Sequence, residues 1–109
     1  MRKEEKSRGK LHYVYKSTKL IHISLEHLEK TSTQDYTISS IRITGDFFVY
    51  PEENLGKLEA SLIGTKLKKH AVKQKILRWL RESQALGFDS ESLTEAIIGC
   101  FHHGEKTKI

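Results

Sequence analysis

The chain has 109 residues, 37% of them hydrophobic, and 19 Lys and Arg against 14 Asp and Glu give it a net charge of +5. That is one domain's worth of chain, able to bury roughly 65% of its unfolded surface and too apolar for a disordered protein. A single Cys excludes an internal disulfide framework and a multi-cysteine zinc or iron–sulfur site, and no run of 18 apolar residues offers a membrane span.

Residues 1–10 carry charge with no apolar segment behind it, so they read as a basic tail and not as a secretory leader. The lone Cys fits a reducing, cytoplasmic setting. The domain itself is expected over residues 11–104, with 105–109 as a C-terminal tail.

Leu11 to Lys16 alternates, with Leu11, Tyr13 and Tyr15 on one parity. From Leu20 to Leu28, Ile21, Ile23 and Leu25 alternate with His22, Ser24 and Glu26, the period of a strand with one buried face. The polar stretch from Lys30 to Asp35 reads as a hairpin connection. Tyr36 to Ile43 is rich in β-branched residues. Ile38 has the opposite parity to Ile41 and Ile43, which calls for a bulge near Ser39 and Ser40. Gly45-Asp46 interrupts the run before Phe47 to Tyr50. Two arrangements fit: a tight turn into a hairpin, or one extended strand with Ile41, Ile43, Phe47 and Val49 on one face.

Pro51 is placed at the first position of a helix, where its missing N–H costs nothing, and Glu52 and Glu53 suit the positive end of the helix dipole. Leu55, Leu58 and Leu62 follow at helical spacing, with Gly64 after the last turn. A second helix is predicted over 68–83, with Val72, Ile76, Trp79 and Leu80 on one stripe. Leu86-Gly87-Phe88 is a break. Asp89 or Ser90 caps a third helix whose inward stripe is Leu93, Ile97, Cys100 and Phe101, ending at Gly104. Strands followed by helices predict an α+β fold: a three-stranded antiparallel sheet with about three helices on one face.

The block Ile41-Arg-Ile-Thr-Gly-Asp-Phe-Phe-Val-Tyr-Pro-Glu-Glu53 resembles the I-x-I-T-G-D-F-F-x-x-P-E-E signature of the accessory domain of lipoate–protein ligases. The helix Leu55-Gly-Lys-Leu-Glu-Ala-Ser-Leu-Ile-Gly64 continues the likeness. Upstream, Thr18-Lys-Leu-Ile-His-Ile23 is similar to the family's Gly-Lys-Leu strand start, with Ser17 and Thr18 where the family has glycine. The likeness covers residues 18–103. It implies a fold similar to iron–sulfur scaffold and sulfur-acceptor proteins. It implies a stand-alone, non-catalytic small subunit of a bipartite archaeal or bacterial-type ligase, forming a heterodimer with a separate catalytic subunit. That partner would hold ATP, Mg and lipoate, make lipoyl-AMP, and lipoylate a lysine of a lipoyl carrier domain, while this chain binds no cofactor alone. The small domain would complete the adenylation step and then move aside. The residues expected to face the partner or its active site are Thr44, Gly45, Asp46, Phe48, Tyr50, Pro51, Glu52 and Glu53.

Each feature also has a structural explanation. Gly45-Asp46 serves a turn equally well. Of Phe47 and Phe48, one enters the core. The other, with Tyr50, lies on the open sheet face, either as an interface or beneath the N-terminal segment around Tyr13 and Tyr15.

Lys66, Lys68, Lys69, Lys73, Lys75, Arg78 and Arg81 form an acid-free cluster, while the rest of the chain holds twelve bases and fourteen acids. Such a cluster is a solvated helix face or an electrostatic patch for an anionic partner. It has no aromatic in its exposed midst, which argues against the alternative of a nucleic-acid-binding module. Six His residues show no ligand spacing, so no metal site is expected. A second alternative, sulfur transfer through Cys100, needs an exposed loop thiol, whereas Cys100 falls on an apolar helix stripe.

Overall fold

The computed structural model describes residues 7–16, 19–30 and 35–106. In chain order the elements are β1 (Ser7–Lys16), β2 (Leu20–Lys30), β3 (Asp35–Gly45), β4 (Phe48–Tyr50), α1 (Asn54–Leu62), α2 (Lys69–Trp79), β5 (Gln84–Leu86), α3 (Ser90–His103) and β6 (Glu105–Lys106). The architecture is α+β, as the order of the sequence signals indicated.

Alternation of Ile21, Ile23 and Leu25 with His22 and Ser24 gives β2 one buried face and one facing water. β2 is central and antiparallel to both neighbours, with Tyr13 opposite Ile23 and Ile23 opposite Ile43. The short β6 joins the far side of β1, so the order is β3-β2-β1-β6. Glu26 pairs with Ser40 and His27 with Ile38, leaving Ser39 as the extra residue of a bulge. The bulge brings Ile38 back to the core face beside Ile41 and Ile43, and all three are buried.

The outer edge of β3 is closed by the chain that follows α1. Ile38 N–H donates to the Thr65 carbonyl at 3.0 Å, and the Ile38 carbonyl accepts from Gly64 N–H at 2.7 Å. Leu67 N–H reaches the Tyr36 carbonyl at 2.9 Å. Farther along, Ile43 N–H donates to the Glu59 carboxylate at 2.8 Å. An edge strand so covered offers no long row of free backbone groups for aggregation.

α1 packs on β3, α3 packs on β1 and β2, and α2 rests against α1 and α3. Leu58, Leu62, Val72, Ile76, Leu93, Ile97 and Cys100 are buried between these layers and the sheet. Asp89 caps α3 with a reciprocal pair of bonds: its carboxylate accepts from Ser92 N–H at 2.8 Å, and Asp89 N–H donates to the Ser92 hydroxyl at 3.0 Å.

The expected boundaries need correction in four places. Ser7–Lys10 is not tail but pairs with Glu26–Glu29, and Glu105–Lys106 pairs with β1. Backbone groups beside a strand are best satisfied by continuing the ladder. Residues 1–6, 107–109 and 31–34, the middle of the expected hairpin connection, lie outside the described residues. Pro51 does not open α1: Pro51–Glu53 forms a turn, Glu53 is the N-cap, and neither glutamate lies in the first turn. The Asn54 side chain, bonded to Glu82 and Ser83, fixes where the helix begins. α2 stops at Trp79, before the predicted 83, because the chain turns there into β5.

Candidate interaction site

Gly45 sits at φ +149, and a side chain there would collide with the Leu20 carbonyl. Only glycine lets the chain pass so close to β2 and turn off the sheet. Asp46 N–H makes the last bond to the sheet, to the Leu20 carbonyl at 3.1 Å. Neither sequence arrangement of Phe47 to Tyr50 is correct. β4 neither continues β3 nor pairs with it; it pairs with β5, with Phe48 opposite Leu86, Val49 opposite Ala85 and Tyr50 opposite Gln84. Gly87, at φ +112, ends β5 where a side chain would meet Phe47.

The resulting two-stranded ribbon has an inverted pattern. Val49 is buried and Ala85 half-buried on the inner side. On the outer side Phe48 is 76% exposed, Tyr50 71% and Leu86 70%. A sheet with one wet face ordinarily places polar residues there. With Phe47, Leu55 and Glu52, these side chains line a shallow depression of about 530 Å³. Phe47 is the aromatic that turns inward: it meets Phe88 edge-to-face with centroids 5.0 Å apart, and Phe88 stacks at 6.2 Å on Trp79. Phe48 and Tyr50 therefore do not lie on the open face of the main sheet, nor beneath Tyr13 and Tyr15, which pack against the core.

A buried network holds the ribbon to the helices. The Asn54 side-chain amide donates to the Ser83 hydroxyl at 2.8 Å and to the Glu82 carbonyl at 3.2 Å. Trp79 Nε1 donates to the Asn54 carbonyl at 2.7 Å. These bonds join the turn after β4 to the chain just before β5. Sequence reasoning missed Asn54, Ser83 and Leu86. The alternation of Gln84-Ala-Leu86 is a signal, but three residues are too short to stand out from a loop.

Of the other residues expected here, Thr44, Asp46, Glu52 and Glu53 are exposed and Pro51 is half-buried. They lie along one path from the end of β3 to the start of α1. Among the described residues no group of three or more His, Cys, Asp or Glu is placed to hold a metal ion.

The basic cluster divides into three groups. Lys69 pairs with Glu95 and Lys73 with Glu91, each at 2.7 Å, so one side of α2 is neutralised by α3. Glu95 raises the Lys69 ammonium above its ordinary value, and Lys73 holds the Glu91 carboxyl below its own. Lys75 and Arg78 lie on the α1 side, beside Lys57 and Glu82. Lys66 and Lys68 precede α2 and are exposed, as is Arg81 after it.

Cys100 is fully buried on α3, with its Sγ 3.9 Å from the Ile23 carbonyl. Burial pushes the thiol up to about 12, which removes it as a nucleophile near neutral pH.

Residues 29–97, more than half of the chain, match the family described as bacterial lipoate protein ligase C-terminus. The fold is similar to a chain from the structural analysis of an archaeal lipoylation system, a bi-partite lipoate protein ligase and its E2 lipoyl domain from Thermoplasma acidophilum. The TM-score is 0.66 and the identity 23%, covering 84% of this chain and 97% of that one. No curated protein matches the chain in sequence. The family match shows that the chain belongs to the lipoate protein ligase C-terminal domain family.

Proposed function

We propose that the protein is the non-catalytic small subunit of a two-part lipoate–protein ligase, acting as a heterodimer with a separate catalytic subunit in the cytoplasm. The observation that carries this is the family match over residues 29–97. The likeness in fold to a chain of a bi-partite ligase supports it. In this reading the catalytic subunit holds ATP, Mg and lipoate. The lipoate carboxylate displaces pyrophosphate from ATP to give lipoyl-AMP. A lysine amine of a lipoyl carrier domain then takes the lipoyl group and releases AMP. The small subunit completes the site for the first step, with Thr44, Gly45, Asp46, Phe48, Tyr50, Pro51, Glu52 and Glu53 facing the partner, and moves aside for the second.

The ion pairs of Lys69 and Lys73 leave less free charge on α2 than its composition suggests, and the burial of Cys100 removes the basis of a sulfur-transfer role. Among the described residues no helix is long and apolar enough to cross a membrane.

The test is mass spectrometry of a lipoyl carrier domain incubated with ATP, lipoate and the catalytic subunit, with and without this chain. Lipoylation of the carrier lysine that needs both chains supports the proposal. Equal lipoylation without this chain overturns it.

A further inference from the structure

Phe48, Tyr50 and Leu86 are the three most exposed large apolar side chains in the described structure, and cross-strand pairing places them on one face. Three such residues on the outer face of a six-residue ribbon are not explained by folding: its inner side supplies the core contact through Val49. An apolar face of this kind, rimmed by polar groups, is the form of a docking surface.

The rim says what kind of surface it fits. From Ile43 to Gly56 the chain has Asp46, Glu52 and Glu53 and no Lys or Arg, in a protein of net charge +5. All three acids are exposed, and Glu52 lines the depression itself. On the β5 side Arg81 and Glu82, both exposed, offset each other. A second copy of this chain is a poor occupant. A two-fold pairing of the ribbon with itself sets these acids against their own copies, and like charges across an interface oppose association.

We infer that the outer face of the β4–β5 ribbon docks an apolar surface of the catalytic subunit that is bordered by Lys and Arg. This rests on the two-chain reading above and specifies the chemistry of its contact. The apolar centre supplies affinity, and the acid rim sets orientation and association rate. The Asn54–Ser83–Trp79 network holds the ribbon in place before the partner arrives, so little ordering is needed on binding.

The experiment uses the full chain and the purified catalytic subunit of a lipoate–protein ligase from the same organism, with binding followed at low and moderate salt. Phe48→Ala and Leu86→Ala are expected to weaken binding by about tenfold or more. Both side chains point to water, so the thermal midpoints of these variants should match wild type. The double variant Glu52→Gln, Glu53→Gln is expected to associate more slowly at low salt and to lose salt dependence. Lys75→Ala and Arg78→Ala, on the opposite charge patch, should bind as wild type does. If wild type binds and the ribbon variants bind equally well, the inference is overturned and the two-chain reading stands. If wild type fails to bind, both are overturned. Self-association that disappears with Phe48→Ala would make a second copy the occupant and overturn the inference.

Discussion

Asn54→Ala tests how the ribbon is held. Asn54 is buried, and its side-chain amide reaches the Ser83 hydroxyl at 2.8 Å and the Glu82 carbonyl at 3.2 Å. Truncation deletes both bonds and leaves the buried Ser83 hydroxyl without its donor. Losing a buried polar partner costs roughly 1–3 kcal/mol, so about 2 kcal/mol is expected here. With an unfolding entropy near 2.1 cal/mol/K per residue, a chain of 109 residues loses about 9 °C in Tm. The assay is thermal unfolding by circular dichroism, paired with hydrogen exchange. Exchange should rise first in β4 and β5, because Asn54 joins their ends, and less in β2 at the centre of the main sheet. A Tm within 2 °C of wild type, or protection lost equally in β2 and the ribbon, would show that Asn54 does not hold the ribbon.

Two glycines with positive φ should behave differently. At Gly45 a side chain strikes the Leu20 backbone, whereas at Gly64 (φ +86) it meets open space, so Gly45→Ala should cost more than about 3 kcal/mol and Gly64→Ala about 1 kcal/mol by chemical denaturation. Asp89→Ala removes the α3 cap and should cost about 1 kcal/mol at pH 7. Hydrogen bonds from Ser92 hold the Asp89 carboxyl below its ordinary value of 3.8. Its stabilisation is therefore complete above that value and fades as pH falls through the lowered one, so variant and wild type should converge in acid; a constant gap would contradict the assignment. Cys100 should resist alkylation at pH 8 in the folded protein and react once it is unfolded; rapid native labelling would show that α3 does not bury it.

Much of this fold is legible along the chain because its signals are local. The alternation around Ile23, the misfit parity of Ile38 and the cap at Asp89 each act within a few residues, and each has the structural consequence its chemistry demands. The ribbon was not legible. Whether Phe48 faces core or water depends on β5, whose Gln84–Leu86 arrives more than thirty residues later. The start of α1 was misplaced for the same reason. Local preference puts Pro51 at the first helical turn, but the tertiary bonds of Asn54 to Glu82 and Ser83 set the boundary. In the basic cluster, sequence shows the charges but not that α3 brings Glu91 and Glu95 against Lys73 and Lys69.

In the proposed function this chain completes a lipoate-activating enzyme without carrying the chemistry itself. The most direct measurement is pyrophosphate release from ATP and lipoate, with no carrier present, by the catalytic subunit alone, by this chain alone and by the two mixed. Release is expected only from the mixture, saturating as this chain reaches one equivalent. Equal release by the catalytic subunit alone would contradict the proposed function.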